Sequence, residues 1–346
     1  MESPIRLFYR LINHKASSAF LVLLLSASTQ AFSFPEGKQQ LTSKVVNYVI
    51  KNQYDSAFSA ISTFPVTDKD PLPSLLRLAV LGMRDVDFEQ IIDSTRFLAC
   101  YDSVSRELEA WEQQKGVSSY TRMLSGLCKA MHAAFYLRQK KYMSAMQNGF
   151  SALDHLKEAQ ELDSTNYEVD FFLGLYEYAR AELRSRLWWV LFWYPGNRQK
   201  GIARVQRCAQ QAILTGEAAK LSLCDMYIEE KRSKDAKIVV DVLREKYPDS
   251  RFVLWAEVKY FEAEKKYSEA ARTYGRLATL YEVEQFGEFN TLTTRLKQAT
   301  MLYESDDINT AKSICDKLLS DNKINNYRTI KKETSRLSEK CHEAAD

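Results

Sequence analysis

A chain of 346 residues with only 11 glycines and 7 prolines offers few turns, while Glu, Lys, Leu and Ala recur at helical spacing, so an all-α fold is expected. Its 48 basic and 45 acidic residues leave a formal charge of +3, too near balance to supply the basic field that gathers nucleic acid.

The first 31 residues read as an export signal. Arg6, Arg10 and Lys15 make a positive start, Phe20–Leu25 is an apolar centre, and Thr29 and Ala31 suit the small positions of a cleavage site. The apolar run is shorter than the ~20 residues that span a bilayer, which disfavours a permanent anchor. An uncleaved segment held at a membrane and a mitochondrial presequence are the alternatives. The mature chain, residues 32–346, is expected to be exported, periplasmic or secreted, and to form one continuous structure.

Helices follow in order near Gln40–Lys51, Tyr54–Phe64, Ser74–Met83, Phe88–Gln113, Ser119–Lys140 and Tyr142–Leu162. Pro65 and Pro71–Pro73 break the early ones, and Gly116 stops the fourth. A long segment from Asn166 through Trp193 ends at Pro195-Gly196. Helices of a dozen to twenty residues then alternate with tight turns.

One local phrase opens helix after helix, a polar stretch closed by a small residue. It appears at Tyr54–Ala57, Tyr142–Ala145, Arg198–Gly201, Ser233–Ala236, Tyr267–Ala270 and Ile308–Ala311. From Ala145 onward the small residues lie 56, 35, 34 and 41 apart. With Leu223, Cys224, Tyr227, Ala236, Val240 and Pro248, this resembles the tetratricopeptide repeat (TPR), a helix–turn–helix unit of about 34 residues. Ala133, Tyr136, Ala145 and Ala152 match a second copy, and Tyr48, Ala57 and Ile61 a third. The tryptophan common early in that repeat is missing from the best copy. The matches are clearest over residues 120–285 and degenerate over about 40–65 and 287–321. The resemblance implies a TPR-like α-solenoid of about six hairpins whose concave wall, lined by first helices, holds a protein partner.

Between Ala145 and Gly201 the chain exceeds one repeat, which predicts one overlong aromatic helix. This stretch contains Trp188, Trp189 and Trp193, three of the chain's five tryptophans, together with Phe192. The pattern Gly174-x-Tyr176 followed by Tyr194-Pro195-Gly196-Asn197-Arg198-x-x-Gly201 is similar to tetratricopeptide-39 type proteins. That group includes fungal mitochondrial outer-membrane relatives, and exported bacterial repeat proteins carry the same signature. Two readings compete for the aromatic run. One buries it as core. The other makes Arg184, Trp188, Trp189, Phe192, Trp193 and Arg198 a partner-binding or membrane-surface patch, because from Glu177 to Arg207 seven basic residues face two acidic ones.

Six cysteines in an exported chain invite a disulfide reading. Facing residues of an antiparallel hairpin lie equally far from its turn. Cys208 and Cys224 centre on Gly216, and Cys100 and Cys128 centre on Gln114, so these are the expected pairs; Cys315 and Cys341 fit less well. The other reading leaves all six as reduced core residues.

No HExxH, Gly-x-Ser-x-Gly, phosphate-cradling glycine loop or C-x-x-C occurs. Asp154-His155, Glu229-Glu230 and Asp306-Asp307 read as surface or helix-end charges rather than acid/base pairs. The sequence therefore predicts no catalysis, cofactor, metal, small-molecule substrate or nucleic-acid partner. It points to a protein-interaction scaffold of the cell envelope, or alternatively to a peripheral membrane adaptor working through Trp188–Trp193.

Overall fold

The structure, a computed structural model, describes residues 34, 37–65, 69–186 and 196–345. Among them run fifteen α-helices and one 3-10 helix, with no strand. In chain order they are α1 (Lys38–Ile50), α2 (Tyr54–Ile61), α3 (Leu72–Asp87), α4 (Ser94–Lys115), α5 (Ser119–Arg138), α6 (Tyr142–Leu162), α7 (Asp170–Arg186) and α8 (Arg198–Gln211). Then follow α9 (Gly216–Glu229), α10 (Ser233–Lys246), α11 (Arg251–Ala263), α12 (Tyr267–Glu282), α13 (Glu288–Glu304), α14 (Ile308–Ser320), the 3-10 turn Asn322–Asn326 and α15 (Arg328–Ala345).

Successive helices pair through one recurring turn. Asn52, Lys140, Lys231, Lys265 and Asp306 adopt left-handed φ values between 56° and 63°. The following amide donates back to the carbonyl five residues earlier: Gln53 to Tyr48 (2.8 Å), Lys141 to Tyr136 (3.0 Å), Arg232 to Tyr227 (2.8 Å), Lys266 to Phe261 (2.8 Å) and Asp307 to Leu302 (2.9 Å). This is the Schellman arrangement, which satisfies carbonyls otherwise orphaned at a helix end. The recurring sequence phrase starts two residues later, at Tyr54, Tyr142, Ser233, Tyr267 and Ile308, each the first residue of a helix. Its small residue lies where that helix meets its predecessor. Ala57, Ala236, Ala270 and Ala311 are wholly buried, while Ala145 is only half-buried.

The third and fourth helices depart from their expected bounds. α3 runs on to Asp87 because Asp85, itself buried, accepts the Ile92 amide (3.0 Å) and folds the connection back. α4 starts at Ser94 rather than Phe88, capped by Asp93, whose carboxylate accepts from the Arg96 amide at 2.9 Å.

Packing also joins hairpins far apart in the chain. Its main hydrophobic core joins residues of α1–α7 to Leu254, Val258, Tyr274, Leu277 and Tyr281 of α11 and α12. Polar bonds fasten the same seam. Ser250 Oγ donates to the Ile50 carbonyl (2.6 Å), Tyr247 Oη to Asn47 (2.5 Å), and the Arg251 amide to Asn52 (2.8 Å). These contacts hold α11 against the first helices of the chain. Separate cores hold α8–α10 and the C-terminal helices α13–α15.

Candidate interaction sites

The glycines that frame the irregular stretch are explained by one helix crossing. α7 and α8 approach so closely that a Cβ on Gly174 would lie 2.7 Å from Val205 and 2.9 Å from the Gly201 carbonyl. A Cβ on Gly201 would meet the Gly174 carbonyl at 2.8 Å and the Tyr178 amide nitrogen at 2.9 Å. A Cβ on Gly196 would strike the Ala181 backbone, so the return to α8 also needs glycine. α8 then starts under Asn197, which caps the Lys200 amide at 2.9 Å.

Of the residues the sequence nominated here, Trp188, Trp189, Phe192 and Trp193 lie outside the described residues, as does the side chain of Arg184. Arg198 opens α8 and bonds Glu230 at 3.2 Å, where Tyr178 Oη also donates at 3.1 Å. Other cations of the stretch are paired inside the fold too. Arg204 and Arg207 both reach the buried Asp170 at 3.0 Å, and Arg180 lies 3.9 Å from Glu177. Glu230 and Asp170 thus offset part of the local positive excess; Asp170 carries one charge against two arginines, and the Arg207 side chain stays half-exposed.

All six cysteines are thiols in the structure, so neither expected disulfide is formed there. Cys208 Sγ lies 3.1 Å from the Thr215 hydroxyl, and Cys224 Sγ points to the Ala256 carbonyl at 3.8 Å. Cys100 faces the Ser74 carbonyl (3.8 Å) and Cys128 the Ser105 hydroxyl (3.9 Å). Cys100 and Cys128 lie on the successive helices α4 and α5, close enough to interact electrostatically. Burial pushes the Cys128 thiol up to about 11 and those of Cys208 and Cys224 to about 12, which keeps them protonated and unreactive.

Glu168 and Asp170 organise the same region from below. The Glu168 carboxyl, wholly buried, accepts the amides of Ile213 (2.6 Å), Leu214 (2.9 Å) and Thr215 (2.8 Å), as well as the Thr215 hydroxyl. It caps the start of α9 from another hairpin. Asp154 is exposed and lies 3.8 Å from Lys157. Among the described residues no group of three His, Cys, Asp or Glu could hold a metal, and no helix is long and apolar enough to cross a membrane.

Two features suited to binding had no distinct signal in the sequence. The first is the outer face of α6. Tyr142 (64% exposed), Met143 (66%), Met146 (48%) and Phe150 (38%) recur three to four residues apart along it, beside the exposed Leu137 at the end of α5. α6 packs closely on α5 but barely on α7. A groove of about 330 Å³ remains between α6 and α7, walled by Met146, Phe150, Leu153, Phe172 and Tyr176.

The second is a half-enclosed cavity of about 250 Å³ among α1, α3, α5 and α7. α1 gives it Val45 and Val49, α3 Leu76 and Val80, α5 Leu127 and Met131, and α7 Phe171 and Phe172. Among its described lining residues Arg138 is the only charged one, and Thr215 is the only other polar side chain. The sequence could have flagged Arg138 only as a cation in the last turn of α5, a favourable and common place for one.

The described chain is therefore an all-α, TPR-like array of paired helices. No family model and no curated protein matches it. Among solved structures it is similar to the C-terminal part of a TPR repeat-containing protein from Cytophaga hutchinsonii, at 14% identity, covering 82% of this chain and 98% of that one with a TM-score of 0.39. It is also similar to yeast Tom70, at 8% identity, covering 88% of this chain and 82% of that one with a TM-score of 0.37.

Proposed function

We propose that this chain is a non-catalytic scaffold of the cell envelope that binds a partner protein on the α6 face. The single observation behind this reading is the exposed stripe Tyr142–Met143–Met146–Phe150 with the groove beside it. Apolar side chains at helical spacing along a groove suit the apolar face of an amphipathic helix, and methionines adapt to such partners at little cost. Placement in the envelope is supported by the n-region, apolar centre and small residues of positions 1–31.

A photo-crosslinking residue at Tyr142, compared with one at the exposed Val283 on the far hairpin, tests the surface in living cells. A discrete adduct from position 142 that disappears in Met143→Glu, Met146→Glu supports it. Equal adducts from both positions, or persistence in the double variant, would rule the α6 face out. N-terminal sequencing tests export separately: a mature chain starting at Phe32 is expected, and a retained Met1 in cytosolic extract overturns that part.

A further inference from the structure

We propose that the internal cavity binds a single-chain anionic amphiphile, with the hydrocarbon tail among α1, α3 and α5 and the anionic head at Arg138. The cavity volume, about 250 Å³, exceeds the ~150 Å³ of an apolar cavity that holds benzene. Its wall is aliphatic and aromatic along its length. An apolar pocket with one placed polar group is the usual form of a ligand site, the polar group fixing which end of the ligand lies where.

Arg138 marks that end. It lines the cavity together with Val86 and Ala134, both of which are exposed, so these three residues form the open mouth. Its guanidinium makes no side-chain hydrogen bond and no ion pair within 4.0 Å among the described residues. The nearest acid that acts on it, Asp85, is buried, and one of its oxygens already accepts from the Ile92 amide. Burial lowers the Arg138 pKa, so the charge is half-removed from water with nothing bonded to it. A guanidinium pairs bidentately with a carboxylate, and a partly desolvated one gains the most from doing so. Thr215, the other polar lining residue, offers no competing contact, because its hydroxyl is engaged by Glu168. The occupant that satisfies both ends is a fatty acid or a similar acyl carboxylate. This inference does not depend on the partner surface of α6.

The test is displacement of 11-(dansylamino)undecanoic acid from the purified mature chain, below the micellar concentration of each competitor. Dodecanoate is expected to displace the probe, and dodecyltrimethylammonium, with the same tail and opposite charge, to be at least tenfold weaker. Arg138→Gln should weaken dodecanoate about tenfold and erase its advantage over neutral dodecanol. Ala79→Phe, which fills the cavity from α3, should abolish binding of all three; its circular dichroism shows whether it folds, and Arg138→Gln, near the surface, carries the test if it does not. Lack of displacement by dodecanoate, equal binding of the cationic amphiphile, or unchanged affinity in Arg138→Gln each overturns the proposal. So does binding to phosphatidylglycerol vesicles without binding of the free acid, which would make the anion a membrane headgroup.

Discussion

Arg251 at the start of α11 closes on Asp87 at the end of α3, across 164 residues of chain, with its Nε 3.0 and 3.1 Å from the two carboxylate oxygens and its Nη2 at 2.5 Å. Both side chains are essentially buried. Tyr54 Oη donates to the same carboxylate at 2.7 Å and Tyr281 Oη at 3.2 Å, while Arg251 Nη1 reaches Glu284 at 2.5 Å. The guanidinium lies over the rings of Phe88 and Tyr281, 5.2 Å from each centroid. Every charge in the cluster has partners, which is the condition under which a buried ion pair is tolerated. It ties the end of α3 to the start of α11.

Asp87→Ala is expected to destabilise the chain by about 3–5 kcal/mol, because it strands the Arg251 charge in the core. Asp87→Leu combined with Arg251→Met should lose much less than the sum of the single changes, since no unpaired charge remains. Urea unfolding measures both. Hydrogen exchange should show the loss concentrated in α1–α3, the elements the cluster ties down.

Gly174→Ala and Gly201→Ala should each destabilise by about 1–3 kcal/mol, although alanine favours a helix over glycine by about 1 kcal/mol. The added methyl meets backbone on the facing helix at 2.8–2.9 Å, and backbone cannot move aside without separating α7 from α8. Gly149→Ala is the control. Nothing lies within 4 Å of its Cβ position inside α6, so propensity alone operates there and stability should rise. Thermal melts of the three variants decide.

What could be read from the sequence was local. The repeated phrase marks helix starts, and all six phrases open helices: before five of them stands the Schellman turn, a property of six consecutive residues, and before Arg198 the Asn197 cap. Gly174 and Gly201 were visible as a motif, but their reason is an interhelical approach that no spacing shows. The pairing of Asp87 with Arg251 was invisible, since each reads as an ordinary helix-end charge and only the curvature of the array brings them together. The cavity was invisible for another reason: its residues are normal core types, and what distinguishes the place is missing volume.

Lys231→Gly and Lys265→Gly should stabilise by about 0.5–1 kcal/mol despite removing side chains. Both lysines occupy the left-handed turn position, at φ 57° and 56°, where an L-residue is strained by about 1–2 kcal/mol. Glycine relieves that strain and gives back part of it through the greater freedom of the unfolded chain. A fall in denaturation midpoint for both variants would show that the lysine side chains make a larger contribution than the turn geometry.

His132 should make the fold acid-sensitive. The ring is buried between Tyr101 (centroids 3.7 Å) and Tyr136 (4.3 Å), with Nδ1 3.2 Å from the Asn148 side-chain oxygen and Nε2 buried without a partner. Burial lowers its pKa from the ordinary 6.5, and Lys129 lowers it further, outweighing the Asn148 bond and Asp102, which raise it. The folded chain then holds fewer protons at this site than the unfolded chain. Its contribution is complete above about pH 6.5 and drains away as the pH falls below that value toward the depressed folded pKa. His132→Phe keeps an aromatic ring between the two tyrosines and cannot take up a proton, so its unfolding free energy should fall less than that of the parent between pH 7 and pH 5. His155, also lowered by burial, leaves a residual slope in the variant. Denaturant titrations at several pH values measure the difference, and parallel curves for the two proteins would remove His132 as the sensor.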